Sequence, residues 1–518
     1  MTTALWLPTS KLSDEEMTML GKLTTQLGEY RPENLEKEKY YDAKAATKDL
    51  KIAIPPSLQG LEVAVGWPAA AVDCVEERLD FEGWNYGDAK PPAAIRKGSS
   101  EDPWGLEELY LENDLDVEAS KVHLDALIHG IGFVAVTTGI EGEPDPLITV
   151  ESPLNMTAII DPRTRLVKAA YMQKLDSDDK VAVAALMLPN ETIWLEALVP
   201  SYGGIAPGGW RIVNRDRHNL NRVCVASFIN MPQSGSVVKG HSEITETVRR
   251  LTQAGMRTLA NAEVAREFYA APQRFVLGAK ESFFVDPEGK PLPAWKAYMG
   301  RMMALERDEY GDIPQVQEFR GQSLETFMSV MRMYAQLLSG HVGIPQNYLG
   351  FATDNPPSAE ALNAMEARLI KRTERRQRWF GRGWSEVARL AIVVREGLQE
   401  IPMEAKNIRP KWRAAHTPTI AAQADATTKL IQAGVLTPTS KVTWDRLDIS
   451  RAEQKQLESD LRKASVTSLV EGLAPAAQSV AAQNPAAAAA ATRKPAQPAK
   501  KAQPAKPAAK ADGGAKTS

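Results

Sequence analysis

Cysteine is almost missing from the chain: Cys74 and Cys224 are its whole complement in 518 residues. Two thiols so far apart make neither a disulfide framework nor a zinc site of usable spacing, so a reducing compartment is expected. Long apolar runs are also lacking, and nothing approaches the roughly 18–20 residues that cross a bilayer. The opening residues, MTTALWLPTSKLSDEE, lack the basic start and apolar core of a secretory signal. Neither membrane contact nor export is expected, and the sequons at Asn155 and Asn190 read as chance matches. Charge of one sign is scarce too: 62 Lys+Arg against 65 Asp+Glu leave a net −3. That excludes a domain whose whole surface grips nucleic acid, while leaving room for local contact.

Catalytic and ligand motifs are just as sparse. There is no G-x-x-x-x-G-K-[ST]. The segment GGIAPGG (Gly203–Gly209) lacks the Lys and Ser/Thr that hold phosphate and magnesium, and reads as a hairpin turn. His123 and His129 are six positions apart, hence on different helix faces. With no H-E-x-x-H present they read as core or surface histidines rather than ligands. DSDD (Asp176–Asp179) has neither the Gly nor the distal Glu of a calcium loop and reads as a turn. No G-x-S-x-G elbow occurs. No catalytic residue, metal or cofactor is expected, and nothing supports an enzyme.

What the chain does have is architecture. It is 43% hydrophobic and 25% charged, and its length suits two to four domains. Residues 11 to 50 read as charged helix with Met19, Leu23 and Leu27 on one face, and WPAAAVDCVEERL (Trp67–Leu79) as a helix with Pro68 in its first turn. Residues 101 to 120 carry eight acids and no Lys or Arg, which reads as a solvated acidic helix pair. From about 132 to 230 the texture turns β-rich. FVAVTTG and LITVESP flank a hairpin candidate, followed by LVKAAYM, KVAVAALML, ETIWLEAL, WRIVNRD and RVCVASFIN. Helix returns with Ser242 as the expected N-cap. SLETFMSVMRMYAQLLSG then places Leu324, Phe327, Met328, Met331, Ala335 and Leu338 on one face, with Gly340 as the expected C-cap. A Gly/Pro/Asn-rich stretch leads to a very long helix from about Ser358 to Val394, with Leu362, Met365, Leu369, Phe380, Trp384, Val387 and Ala391 as its apolar face. Ser450–Glu453 forms a capping box for a last helix, and the Ala/Pro/Gln/Lys composition of 474–518 reads as a disordered basic tail.

This order of segments resembles the portal proteins of tailed bacteriophages, in the branch found in siphophages of actinobacteria, over residues 10 to 470. It is carried by KDLKIAIPPSLQGLEVAVGWPAAAVDCVEERL, LDALIHGIGFVAV, HSEITETVRRLTQAGMRTLA, LLSGHVGIPQNYLGFATDNPPSAEALNAMEARL and AQADATTKLIQAGVL, occurring in that order. The resemblance implies an α+β, mainly helical portal fold: wing (1–240, with the β-rich module at about 132–230), a helix leading into the stem (241–270), clip (271–320), stem helix (322–340), tunnel loop (341–357), long wing helix (358–400) and crown (410–470). It implies a ring, typically of twelve subunits, at one capsid vertex of the virion, assembled in the host cytoplasm. Viral double-stranded DNA would pass through it. Terminase large subunit, major capsid protein and head-completion or adaptor proteins would be its partners.

On that resemblance the loop offers Gln346, Asn347, Tyr348, Thr353, Asp354 and Asn355 to the DNA channel. Neutral polar groups suit sliding, because each cation on phosphate adds affinity that must be broken at every step. The cations Arg368, Lys371, Arg372, Arg375, Arg376, Arg378 and Arg382 read either as a DNA-facing rail or as a subunit interface meeting acids, such as those at 101–120, on a neighbour. The interface is favoured, since Arg pairs well with carboxylates and ring faces must be complementary. The tail cations Arg493, Lys494, Lys500 and Lys501 would either touch packaged DNA or merely solubilise. The competing readings are another capsid structural protein without a channel and, behind it, a nucleic-acid enzyme, which would need clustered carboxylates holding metal.

Overall fold

The computed structural model describes residues 11–46, 63–87, 102–176, 180–201, 209–234, 239–270, 274–277, 315–318, 324–351, 358–416, 420–447 and 456–464, with a few isolated positions between them. The chain is α+β. It divides into two compact units at His416.

In the first unit, four layers follow from where apolar side chains can hide. Helix α1 (Asp14–Tyr41) opens on a complete capping box between Ser13 and Glu16. It lays Leu20, Leu23 and Leu27 on a five-stranded antiparallel sheet, each burial contributing about 1.5–3 kcal/mol. That sheet is a meander of β4 (Met156–Ile160), β5 (Val167–Leu175), β6 (Val181–Met187), β7 (Thr192–Ser201) and β8 (Trp210–Asp216). Ala169, Tyr171, Ala184 and Leu186 face α1, while their neighbours Ala170, Met172, Ala185 and Met187 face a second sheet. Because both faces are covered, β5 and β6 are apolar without alternation.

The second sheet has the order β3-β2-β9 (Leu147–Glu151, Ile131–Thr137, Val225–Ile229), all antiparallel. Phe133, Ala135 and Val225 pack on the first sheet. Val134, Val136, Ala226 and Phe228 turn to the helical layer. That layer contains α2 (Trp67–Glu76), α3 (Leu106–Glu112), α4 (Leu115–His129) and the long helix α7 (Ala359–Glu396). At its centre Trp384 is fully buried, stacked on Phe81 at 4.2 Å and edge-on to Phe228 at 5.0 Å. Gly383 permits this: a Cβ there would lie 2.7 Å from the Phe228 ring. Strands β1 (Phe81–Asn85) and β12 (Arg409–Trp412) pair antiparallel and close the layer from opposite ends of the unit.

Helices α5 (Glu246–Ala270) and α6 (Glu325–Val342) pack together. A 3.0 Å hydrogen bond between Thr245 Oγ1 and His341 Nε2 sets the start of one beside the end of the other, so the pair is antiparallel. Between them in the chain, β10 (Arg274–Leu277) and β11 (Gln315–Glu318) pair antiparallel. The second unit contains α8 (Ile420–Gln432), ended by left-handed Gly434, and α9 (Lys441–Arg446), capped by Ser440.

Several expectations are met. The β2–β3 and β7–β8 hairpins pair as read, and α7 starts at its Ser358 cap. Leu369, Phe380, Trp384, Val387 and Ala391 are all buried, whereas Met365 is exposed. Others are corrected. Ser242 does not cap α5: its hydroxyl donates to Ile128 O, and it is Thr245 Oγ1 that accepts from Val248 N at the helix start. Gly340 does not end α6, which runs to Val342 with Gly343 (φ 75°) as its left-handed C-cap. Leu324 and Met328 lie exposed rather than on the packed face of α6. The acidic stretch is only partly solvated, since Asp102 is buried and its carboxylate accepts from the backbone N–H groups of Leu106, Glu107 and Glu108. Strands β1, β4 and β12 had no sequence signal. Ser450 and most of residues 271–320, together with Ser177–Asp179 and the tail with Arg493, Lys494, Lys500 and Lys501, lie outside the described residues.

Candidate functional site

The loop and the basic helix meet at one junction. After Gly343 the chain enters with Ile344 buried, and Ser339 Oγ donates to Ile344 O at 2.7 Å, folding the turn back on its own helix. A single 3-10 turn, Gln346–Leu349, follows and ends on left-handed Gly350. Gln346 and Asn347 are exposed. Tyr348 is half-buried: its hydroxyl donates to Glu366, and Arg78 Nη2 reaches both Tyr348 Oη and Glu366 Oε2 at 3.2 Å. Burial, then the hydrogen bond to Glu366, raises the phenol's pKa. The turn is thus latched to the end of α2 and to α7. Thr353, Asp354 and Asn355 lie outside the described residues.

The seven cations expected to act together divide into three groups. Arg368 braces the turn, donating to Gly340 O at 2.7 Å and lying where a Cβ on Gly343 would fall. Arg372 and Arg376 turn inward onto Glu243, which is 3% exposed. Arg372 Nη2 reaches Oε2 at 2.5 Å, while Arg376 reaches Oε1 through Nε at 3.0 Å and Nη2 at 2.5 Å. Asn230 Nδ2 adds a 3.2 Å bond to Oε1. Burial holds the pKa of Arg372 below the usual arginine value, although Glu243 opposes the shift. Lys371, Arg375, Arg378 and Arg382, spaced four, three and four apart, form an exposed stripe. In it Lys371 pairs with Glu374 at 2.6 Å, and Arg382 donates to Thr164 O and Arg165 O. Arg372 and Arg376 are therefore engaged within the chain. The stripe lies on the exposed side of the helix.

Sequence reading gave no role to Glu243, Glu366 or Arg78. No periodic signal points to their partners, which lie 18 or more residues away in the chain.

Both histidines belong to the core. His123 stacks on Phe380, and its Nε2 accepts the Trp384 indole N–H at 2.9 Å, so its proton is on Nδ1. Burial pushes its pKa down to about 3. Below the ordinary imidazole pKa of about 6.5 the unfolded chain takes up a proton that the folded chain refuses. The stability this site contributes is complete above 6.5 and is lost as pH falls toward 3. Lowering pH from 7 to 5 costs about 2 kcal/mol at this site. In urea titrations His123→Gln is therefore expected to close about 2 kcal/mol of its gap to the parent protein between those pH values. A constant gap would show that His123 does not carry the acid sensitivity.

No cluster of His, Cys, Asp or Glu among the described residues could hold a metal ion, and no described helix is long and apolar enough to cross a membrane. What the geometry offers is a stiff scaffold: an antiparallel helix pair, a latched polar turn and a long charged helix.

Residues 20–466 match the family model described as "Phage portal protein, SPP1 Gp6-like". The chain is 34% identical over 401 residues to the portal protein of Mycobacterium phage D29, covering 76% of this chain and 77% of that one. It is 34% identical over 406 residues to the portal protein of Mycobacterium phage L5, with the same coverage. The chain belongs to the SPP1 Gp6-like phage portal protein family. It functions as a phage portal protein, a structural component of the virion and not an enzyme.

Proposed function

We propose that the chain forms a ring, of about twelve copies, at one capsid vertex, and that viral DNA passes through its channel during packaging and ejection. The layered α/β body up to about residue 240 is the wing. Helices α5 and α6 are the stem, and the segment they bracket, with β10 and β11, is the clip that docks terminase and later the head-completion or adaptor protein. The crown is the second unit, from Thr417 to about residue 470 rather than from residue 410, because β12 pairs with β1 in the first unit; the wing edge contacts the major capsid protein. The observation that carries this reading is the order of parts. An antiparallel helix pair brackets a β-paired excursion, a latched turn follows with Gln346 and Asn347 exposed, and the chain then enters a 38-residue helix. Neutral amides at the turn suit passage of DNA better than cations, which would bind phosphate. The outward stripe Lys371, Arg375, Arg378 and Arg382 is the subunit interface.

Size exclusion with light scattering and negative-stain imaging test this. A particle of about twelve 56.7 kDa chains with an axial hole is expected. A protein that stays monomeric at high concentration, with capsid components present, would rule out the ring.

A further inference from the structure

The stripe borders a cleft of about 900 Å³ between α7, β9 and the β4–β5 turn. Six cationic side chains line it (Arg165, Arg222, Arg378, Arg382, Arg389 and Lys406) against one carboxylate, Glu386, which Arg222 already engages at 2.5 Å. Burial, with cationic neighbours, depresses the pKa of both Arg382 and Arg389. The cleft thus carries positive charge that its own residues do not neutralise. Trp379, Ile401 and Leu166 give it apolar wall as well.

One wall is also a strand edge. Val136 N donates to Cys224 O at 2.9 Å and Asn230 N to Gly130 O at 3.0 Å, so the even-numbered residues of β9 bond to β2. By the antiparallel alternation, the N–H and C=O groups of Val225, Ser227 and Ile229 point away from β2, and these three residues line the cleft. Among the described residues no strand pairs with that edge. The opposite edge of the same sheet is managed: Ile148 N donates to Asn113 Oδ1 at 2.8 Å, and Asn113 Nδ2 donates to Pro146 O. Unpaired strand edges invite another chain.

The counterpart lies on the same molecule. The β2–β3 hairpin ends in an exposed finger, Ile140-Glu-Gly-Glu-Pro-Asp145. Ile140 is 72% exposed, the most of any large hydrophobic side chain described, beside Glu141, Glu143 and Asp145. Within one chain the finger extends beyond the β2–β3 pairing, and β2 separates β3 from β9.

We propose that the acidic finger of a second copy of this chain occupies this cleft, with its carboxylates on the arginines, Ile140 on the apolar wall and its backbone against the free edge of β9. The inference rests on the ring reading and names the neighbour's contacting segment, which is the finger rather than the acids at 101–120. A volume of this order takes a few residues. A closed ring needs such a contact, in which one face of a subunit fits a different face of the next.

The test uses full-length protein with a photo-crosslinking benzoylphenylalanine in place of Ile140. It is mixed with isotope-labelled copies so that links between chains are recognised by mass. Assembly is followed by light scattering on the same samples. The expected link joins residue 140 of one copy to 225–234 or 378–389 of another. Glu143→Lys and Arg378→Glu should each raise the concentration for half-assembly at least tenfold, and together restore it. If rings form but residue 140 links elsewhere or not at all, this contact is wrong and the ring reading stands. If the unsubstituted protein never assembles, the ring reading falls and the contact with it.

Discussion

Glu243→Leu is expected to lower the stability of the first unit by about 3–5 kcal/mol, because it strands the buried guanidinium of Arg376 and the half-buried one of Arg372. Arg376 is 4% exposed at its side chain and Arg372 17%, and both take Glu243 as their carboxylate. Taking charges out of water is costly, and the ion triad offsets that cost only while it is complete. Removing the anion leaves arginines 372 and 376 four residues apart on one helix face, with nothing to balance their repulsion. In a unit of this size the loss lowers the melting temperature by about 5 °C. The informative control is the triple change Glu243→Leu, Arg372→Met, Arg376→Leu. It should recover most of the loss, since an apolar replacement of similar volume is tolerated where a half-removed ion group is not. A Glu243→Leu protein melting within about 2 °C of the parent would show that solvent or another group already balances the arginines.

Trp384→Ala is expected to cost about 5 kcal/mol, the other large effect. Truncating a buried aromatic costs about 3–5 kcal/mol through lost transfer energy and the cavity left behind. Here the indole also stacks on Phe81, meets Phe228 edge-on and donates to His123 Nε2, and an acceptor left unsatisfied adds about 1–3 kcal/mol. Trp384→Phe keeps the stack and loses the donor, so it should cost about 2 kcal/mol in chemical denaturation. Equal losses for the two variants would mean that the hydrogen bond to His123, rather than ring packing, dominates at this position.

What the sequence announced was local. The β2–β3 hairpin, the helix following Ser358 and the apolar face from Leu369 to Ala391 are periodic signals within a short span. Ser242 and Gly340 show how such signals mislead. Both are eligible caps by residue type, but Ser242 is claimed by Ile128 O from another element, and a second glycine three residues on adopts the left-handed conformation instead. The candidate site was legible in its parts but not in its arrangement. Seven cations on one helix looked like a single patch. Which of them turn inward depends on Glu243, far away in the chain. The pairing of β1 with β12 likewise spans most of the unit, and no local pattern encodes it.

The long helix α7 is two mechanical materials in one rod. From Phe380 to Val394 nearly every residue is clamped in the core, whereas between Glu366 and Gln377 only Leu369, Thr373 and Arg376 are buried. It is a cantilever: the built-in end sits among the aromatic rings, and the free arm holds the latched turn near its tip through Glu366 and Arg368. The Glu243 ion group sits where the arm leaves the wall, at the fulcrum. A load on the turn is therefore carried along the rod as torque on the Glu243 ion group, and a bend there would have to break charge pairs before it could bend the helix.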